Sequence, residues 1–348
     1  MRSGDFKENY ADLIVLTDSR WVWFWSAVFA AALVAMPFAI NAYLLSLLTL
    51  VLITVTGALG LNLLTGMTGL ISLGHAGFLV LGAFSYAVMV AKYKFHPLAG
   101  FAAAAIIPAL FSVVVGLPSL RLRGLYLAIT TLAFSYIINN LILEASSITG
   151  GARGIAVQRP EFLGFDFSSD QAFALLCLFV ATLALFACLN IRRSRIGRAF
   201  MAIRDNDIAA RTMGINLQRF KLYAFMTSAV LTGLAGALMG IYLSFVSVEG
   251  FPFLLSIEAL AILIVGGLGS ALGAVLGTLF VILLPEAVRL LFGLIGGSLE
   301  VILSTGVHEV KSIIYGAIII LFLRFEPRGL VGVWHDAKRL WVHWPLRY

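Results

Sequence analysis

Charge is what this sequence has least of. Asp, Glu, Lys and Arg together supply 12% of its 348 residues, against roughly a quarter in a soluble domain, which excludes a water-facing surface over most of the chain. Cysteine is nearly absent. The two present, Cys177 and Cys188, fall on one helix face ~16 Å apart along the axis, so they cannot pair and are expected to pack in the interior. No G-x-x-x-x-G-K-[ST] stretch occurs, which excludes P-loop ATP hydrolysis by this chain on its own. His75, His96, His308, His335 and His343 are scattered, with no metal-ligand spacing, no nucleophile beside a base and no paired carboxylates. No enzymatic activity, catalytic residue, metal or cofactor is therefore expected.

What the sequence has instead is apolar length. Hydrophobic residues make up 61% of it, with a mean hydropathy of +1.01. A helix needs ~20 apolar residues to cross ~30 Å of hydrocarbon. Runs of that kind predict an all-α, polytopic membrane protein with about ten spans, near 21–40, 43–64, 71–91, 97–117, 124–143, 171–191, 222–246, 258–268, 271–289 and 310–324. The runs at 258–268 and 310–324 are short, which predicts broken helices or spans leaning on buried irregular backbone. Residues 1–20 read as a cytoplasmic segment without a cleavable signal peptide, 21–325 as the transmembrane domain and 326–348 as a cytoplasmic tail. Trp21, Trp23 and Trp25 at one end and Trp334, Trp341 and Trp344 at the other suit anchoring at the lipid interface.

Lys and Arg set the expected orientation. Between Arg192 and Lys221 stand eight basic residues against Asp205 and Asp207, in a chain whose net charge is +7. That loop is expected in the cytoplasm, the acidic segment Glu144–Asp170 outside, and both termini inside. The basic surplus lies beside membrane spans, where the topology rule accounts for it, so nucleic acid is not an expected partner.

Four stretches carry more than hydrophobicity. From Gly57 the chain reads GALGLNLLTGMTGLISLGHAGFLVLGAF. One reading is close helix packing through small residues. The other is a helix interrupted near Thr65–Ser72, with Asn62, Thr65, Ser72, Gly74 and His75 along a polar path, because a membrane histidine is expensive unless partnered or wet. In GLYLAITTLAFSYIINN, Thr131, Tyr136 and Asn139 fall near one helix face, for interhelical hydrogen bonding or for lining a pathway. The TGGARG that follows reads as a flexible outer loop, and GGLGSALGAVLG, from Gly266 to Gly277, shows small-xxx-small spacing at Gly269, Gly273 and Gly277. In the basic loop, Asp207–Met213 predicts a short helix with an acidic start and a glycine stop at Gly214.

Together LNLLTGMTGLISLGHAGF, TGGARG, IRDNDIAARTMGINLQRFKL and IVGGLGSALGAVLG resemble, in order and spacing, the inner-membrane permeases of branched-chain amino-acid ABC importers, of the LivM type, over about residues 43–332. The resemblance implies a bacterial inner-membrane subunit without enzymatic activity, surrounded by lipid. It pairs with a second permease of the LivH type, rests on two ATP-binding subunits, and receives substrate from a periplasmic binding protein. Ala209, Ala210 and Gly214 match the Ala-Ala…Gly motif that enters a cleft on the ATPase, and Arg204, Asp205 and Asp207 form its lead-in. Ser72, Gly74 and His75 match a central interrupted segment. Ser135 and Tyr136 depart from the small-then-acidic-or-amide pattern of the family, and Arg153 from its outer-loop acid or amide, so a urea or short-chain amide permease stays open as an alternative. An ion-coupled secondary transporter is weaker, since Glu144, Glu258, Glu286, Arg289 and Glu300 fall near expected span ends.

Overall fold

The computed structural model describes residues 20–119, 122, 124–162, 165–295, 316–317, 320–322, 324, 326 and 329–343. Most of the expected span 310–324 falls outside them, and Glu300, His308 and Trp344 lie wholly outside. Helix α1 is Arg20–Ala39, α2 Ala42–Leu61, α3 His75–Ala87, α4 Pro97–Ser119 and α5 Leu125–Glu144. After the short α6, Ser146–Thr149, come three two-residue strands, β1 Ile155–Ala156, β2 Glu161–Phe162 and β3 Phe165–Asp166. Then follow α7 Asp170–Arg193, α8 Arg195–Asp205, α9 Asp207–Thr212 and α10 Leu217–Leu243. Strand β4 Phe245–Val246, α11 Leu254–Gly266, α12 Ala271–Ile295 and α13 Gly329–His343 complete the order.

Six helical segments among the described residues are long and apolar enough to cross a membrane: Ala42–Met67, His75–Lys92, Pro97–Leu117, Leu125–Glu144, Asp170–Arg193 and Leu217–Leu243. The expected count of ten is not reached among these residues, in part for a local reason. The runs expected as separate spans at 258–268 and 271–289 are the two arms of one broken unit, α11 and α12, bent by 117° at their junction. Helix α1 carries a shorter apolar stretch, Ala27–Ala39, with Trp25 exposed.

Helix α10 is the axis of the bundle and packs against α4, α3 and α2. Small residues make this possible. A Cβ on Gly82 of α3 would collide with the Gly233 carbonyl, one on Gly233 with the Ala104 carbonyl of α4, and one on Gly236 with the Leu79 carbonyl. Two neighbours therefore meet α10 backbone to backbone, the device expected where hydrocarbon outside removes the usual hydrophobic drive for association. Around this axis Phe78, Phe84, Tyr86, Phe173 and Phe251 form one apolar cluster, while Leu59, Leu63, Leu64, Phe200 and Phe225 form the other. Cys177 and Cys188 are free and buried.

The two ends of the bundle differ. At one end β1 pairs with β4, with Ile155 opposite Val246, while β2 and β3 form a small hairpin. The TGGARG stretch there takes up helical turns, α6 and a 3-10 turn over Gly151–Arg153. Thr149 Oγ1 donates to Ile142 O at 2.6 Å and accepts from Gly151 N at 3.2 Å, and Lys92 Nζ donates to Ser147 and Ile148 carbonyls. Arg159 pairs with Asp170 at 2.6 Å and its guanidinium stands 5.4 Å from the Phe173 ring centre. At the other end of α7 lie α8 and α9, so the basic loop is two helices rather than one. Lys221, counted with the loop, is buried within α10.

The close contacts on α10 predict a selective sensitivity. Gly233→Ala should lower the melting temperature of the solubilised protein by an amount equivalent to about 1–3 kcal/mol. Gly250→Ala, where the nearest atom to an added Cβ is Ser247 O at 3.4 Å, should shift it by under about 0.5 kcal/mol. Fluorescence-detected thermal unfolding compares the two, and equal shifts would contradict the packing argument.

Candidate functional site

The polar residues singled out between Asn62 and His75 surround a break between two apolar helical segments. Helix α2 runs into a π-helical turn over Asn62–Met67, and regular helix resumes only at His75. A break between such segments frees backbone groups that lipid cannot satisfy, and side chains take them up. Thr65 Oγ1 donates to Leu70 O at 3.1 Å and Thr68 Oγ1 to Leu63 O at 3.0 Å. Ser72 Oγ accepts from Gly74 N at 3.2 Å. From across the bundle, Thr131 Oγ1 accepts from Leu73 N at 2.9 Å while donating to Ala128 O. A Cβ on Gly74 would lie 3.0 Å from Thr131 O, so α5 presses directly on the break. Ser256 of α11 accepts from Ala76 N at 2.9 Å, the first free N–H region of α3.

Asn62 ties this break to the second one. It is fully buried, and its Oδ1 accepts from Gly269 N at 2.9 Å. Gly269 sits in the turn between α11 and α12 at φ +81°, a conformation that an L side chain adopts only with strain. The glycines of GGLGSALGAVLG accordingly divide. Gly273 and Gly277 face Gly266 and Ile262 across the bend and close the two arms on each other, whereas Gly269 makes the turn itself. The carbonyl of Gly66 is taken by Arg204 Nη1, reaching from the last turn of α8. Gly329, at the start of α13, packs on Val265–Gly267, so a fourth element meets the bend.

The eight residues expected along a polar path do not share one environment. Asn62, Thr65, Ser72, His75 and Thr131 are buried within the chain, and the His75 ring packs against Gly57 of α2. Tyr136 stands on the opposite side of α5, 55% exposed. Asn139 is half-buried, with its Oδ1 enclosed and unpartnered. Thr131 and Tyr136 are therefore on opposing faces of α5. Sequence reasoning missed Ser256, whose contact spans 180 residues and leaves no local signal.

The basic segment has a sharply defined geometry. Asn206 Oδ1 accepts from Ile208 N at 3.0 Å and Ala209 N at 3.1 Å and caps α9, with Asp207 in the first turn and Arg211 in the last, matching the helix dipole. An asparagine directly before an acidic helix start is itself a capping signal, so Asn206 was legible from its place before Asp207. The helix ends as the glycine stop requires: Gly214 N donates to Arg211 O at 3.0 Å, Ile215 N to Ala210 O at 3.1 Å, and Gly214 has φ +87°. Nothing lies within 4 Å of where its Cβ would be, so the constraint there is conformational. Ala210 is buried against its own chain, while Ala209, Ile208 and Met213 face outward, the last two 66% and 83% exposed. Two apolar side chains thus project from a short, doubly stopped helix ringed by arginines.

The chain has clear relatives. The profile of a family described as "Branched-chain amino acid transport system / permease component" matches residues 43–323. The high-affinity branched-chain amino acid transport system permease protein LivM of Escherichia coli strain K12 is 32% identical over 336 residues, covering 88% of this chain and 74% of the relative. The LivM protein of Salmonella typhimurium strain LT2 shows the same identity and coverage. The corresponding LivH protein of Escherichia coli is 26% identical over 298 residues, covering 79% of this chain and 90% of LivH. No solved structure matches. With that profile spanning most of its length, the chain belongs to the permease component family of branched-chain amino acid transport systems.

Proposed function

We propose that this protein is one of two permease subunits of an ABC importer that moves branched-chain (aliphatic) amino acids into the bacterial cytoplasm across the inner membrane. Two partner ATPases supply the energy and a periplasmic binding protein supplies the substrate. The observation that carries the reading is α9. A six-residue helix with both ends stopped and Ile208 and Met213 standing in solvent is a rigid apolar plug. On a lone membrane protein it gains nothing by exposure. Against a cleft on an ATPase it is a docking element, and the relatives LivM and LivH are named as permease proteins of a high-affinity branched-chain amino acid transport system.

The second permease is argued from α5. Its outer face carries Ile129, Tyr136, Ile137 and Leu141, each at least 48% exposed, together with exposed Asn140. A phenol and an amide facing hydrocarbon are costly. The same groups serve well against a second subunit with a pathway between, where polar atoms receive the ammonium and carboxylate of a zwitterion and apolar walls receive its side chain. The orientation follows the loop charges. It puts α8 and α9 in the cytoplasm and the β1–β4 end in the periplasm.

Three outcomes follow. In cells expressing the full complex, the double variant Ile208→Asp/Met213→Asp should insert and pair with the second permease yet lose ATPase recovery in pull-downs, and uptake of labelled leucine should fall to background. Undiminished recovery would refute docking through α9. Ala210→Trp is a poorer probe because Ala210 packs inward. For the substrate, isoleucine and valine should compete with leucine uptake while urea and acetamide do not, and Tyr136→Ala should reduce uptake about tenfold or more at intact assembly, the usual range when a buried site is deprived of one polar partner. Competition by urea would favour the amide-permease alternative. In a background lacking Cys177 and Cys188, an impermeant thiol reagent applied from the periplasm should label Gln158→Cys and not Arg211→Cys. The reverse pattern would invert the topology.

A further inference from the structure

We infer that Arg204 is a positioning residue that transmits displacement of the cytoplasmic helices to both broken spans at once. The inference rests on the importer reading above. Other basic residues of the segment, among them Arg195, Arg198, Arg211 and Arg219, are exposed, as a topology signal alone requires. Arg204 keeps an exposed flank, but its head turns toward the membrane, where Nη1 donates to the Gly66 carbonyl in the π-helical turn of α2. Its stem lies against Gly69, with Cγ 3.3 Å from where that residue's Cβ would be, and a Cβ on Gly269 would collide with its Nη1.

Three glycines from two broken elements are thus fitted around one side chain. Gly66 and Gly69 belong to the α2–α3 break, and Gly269 to the α11–α12 bend. Asn62 closes the arrangement, since the N–H it binds is that of Gly269 and a Cβ on Gly66 would lie 2.5 Å from that same nitrogen. At the other end, Arg204 stands two residues before Asn206, the cap of α9. Helix α8 is fastened to the bundle through buried Phe200 and Ile203. A shift of α9 therefore carries the backbone of Arg204 with it. The stem of Arg204 is held against Gly69 and its planar head is held between the Gly66 carbonyl and the Gly269 turn, so a shift of its backbone bears on both breaks. Packed elements with two discrete arrangements respond to such a bias as a population shift.

Arg204→Met tests this directly, because methionine keeps the apolar stem over Gly69 and removes the donors. The complete complex in lipid nanodiscs, with its binding protein and leucine, is measured for ATPase content, for hydrolysis with and without leucine-loaded binding protein, and for leucine uptake after reconstitution into vesicles. The expected result is full ATPase content with the ratio of stimulated to unstimulated hydrolysis and the uptake rate both reduced roughly five- to a hundredfold, the range of ordinary coupling energies. Arg204→Lys, which keeps one charged donor, should recover part of both. Wild-type stimulation and uptake in Arg204→Met would overturn the inference. Loss of ATPase content would overturn it too, by making Arg204 a docking contact. If the wild-type chain retains no ATPases, it is the importer reading that fails, and that outcome is visible before any variant is made.

Discussion

Every backbone N–H and C=O inside a bilayer must find a partner within the protein, and this chain is organised by that constraint where its helices stop. It breaks regular helix twice between its apolar helices, after Met67 and at Gly267. Each break frees groups that a continuous helix would have satisfied. Thr65, Thr68, Ser72 and Thr131 answer the first, Asn62 answers the second, and Arg204 holds the carbonyl that borders both. Thr65, Thr68 and Ser72 act within the segment itself, but Thr131 comes from α5, Arg204 from α8 and Asn62 reaches from the end of α2 to the Gly269 turn, so satisfying the breaks also fixes how those elements sit relative to one another.

The consequence for function is positional. An uninterrupted bundle has no soft point, whereas a bundle with two breaks pinned by single hydrogen bonds can change the relation of its arms by exchanging a few partners. Both breaks are touched by Arg204 of α8, two residues before the cap of α9. The packing of α10 against α3 and α4, backbone on backbone at Gly82, Gly233 and Gly236, makes the remainder stiff. On the docking role proposed for α9, a displacement there would be expressed where the structure yields, at residues 66–74 and 267–270.

Much of this was legible in the sequence, for reasons that differ by element. The spans of α2 to α5, α7 and α10 follow from apolar length, and the short helix at 207–212 from its acidic start and Gly214. Polar residues among glycines marked the break near Thr65–Ser72. The α11–α12 unit was harder: two apolar runs separated by glycines read as two separate spans, and the bend that joins them depends on the Gly269 turn, held by a residue 207 positions away. Likewise Asn139 lies between Thr131 and Tyr136 on a helical wheel and links them to one broad face, yet the α3 break packs on one side of α5 and leaves the other open. The inward turn of Arg204 is invisible among eight basic residues, because charge counting records the sign of a side chain and not its direction.

The central claim, that side chains from distant helices satisfy the broken backbone, is tested most directly by amide hydrogen exchange on the full complex in lipid nanodiscs. Peptides covering residues 69–74 and 266–270 should exchange as slowly as the helical core of α10. Thr131→Val should accelerate the first region alone and Asn62→Leu the second alone, each by roughly the tenfold that ~1.4 kcal/mol of lost protection produces. Rapid exchange of both regions in the wild-type protein, or no change in either variant, would contradict the account.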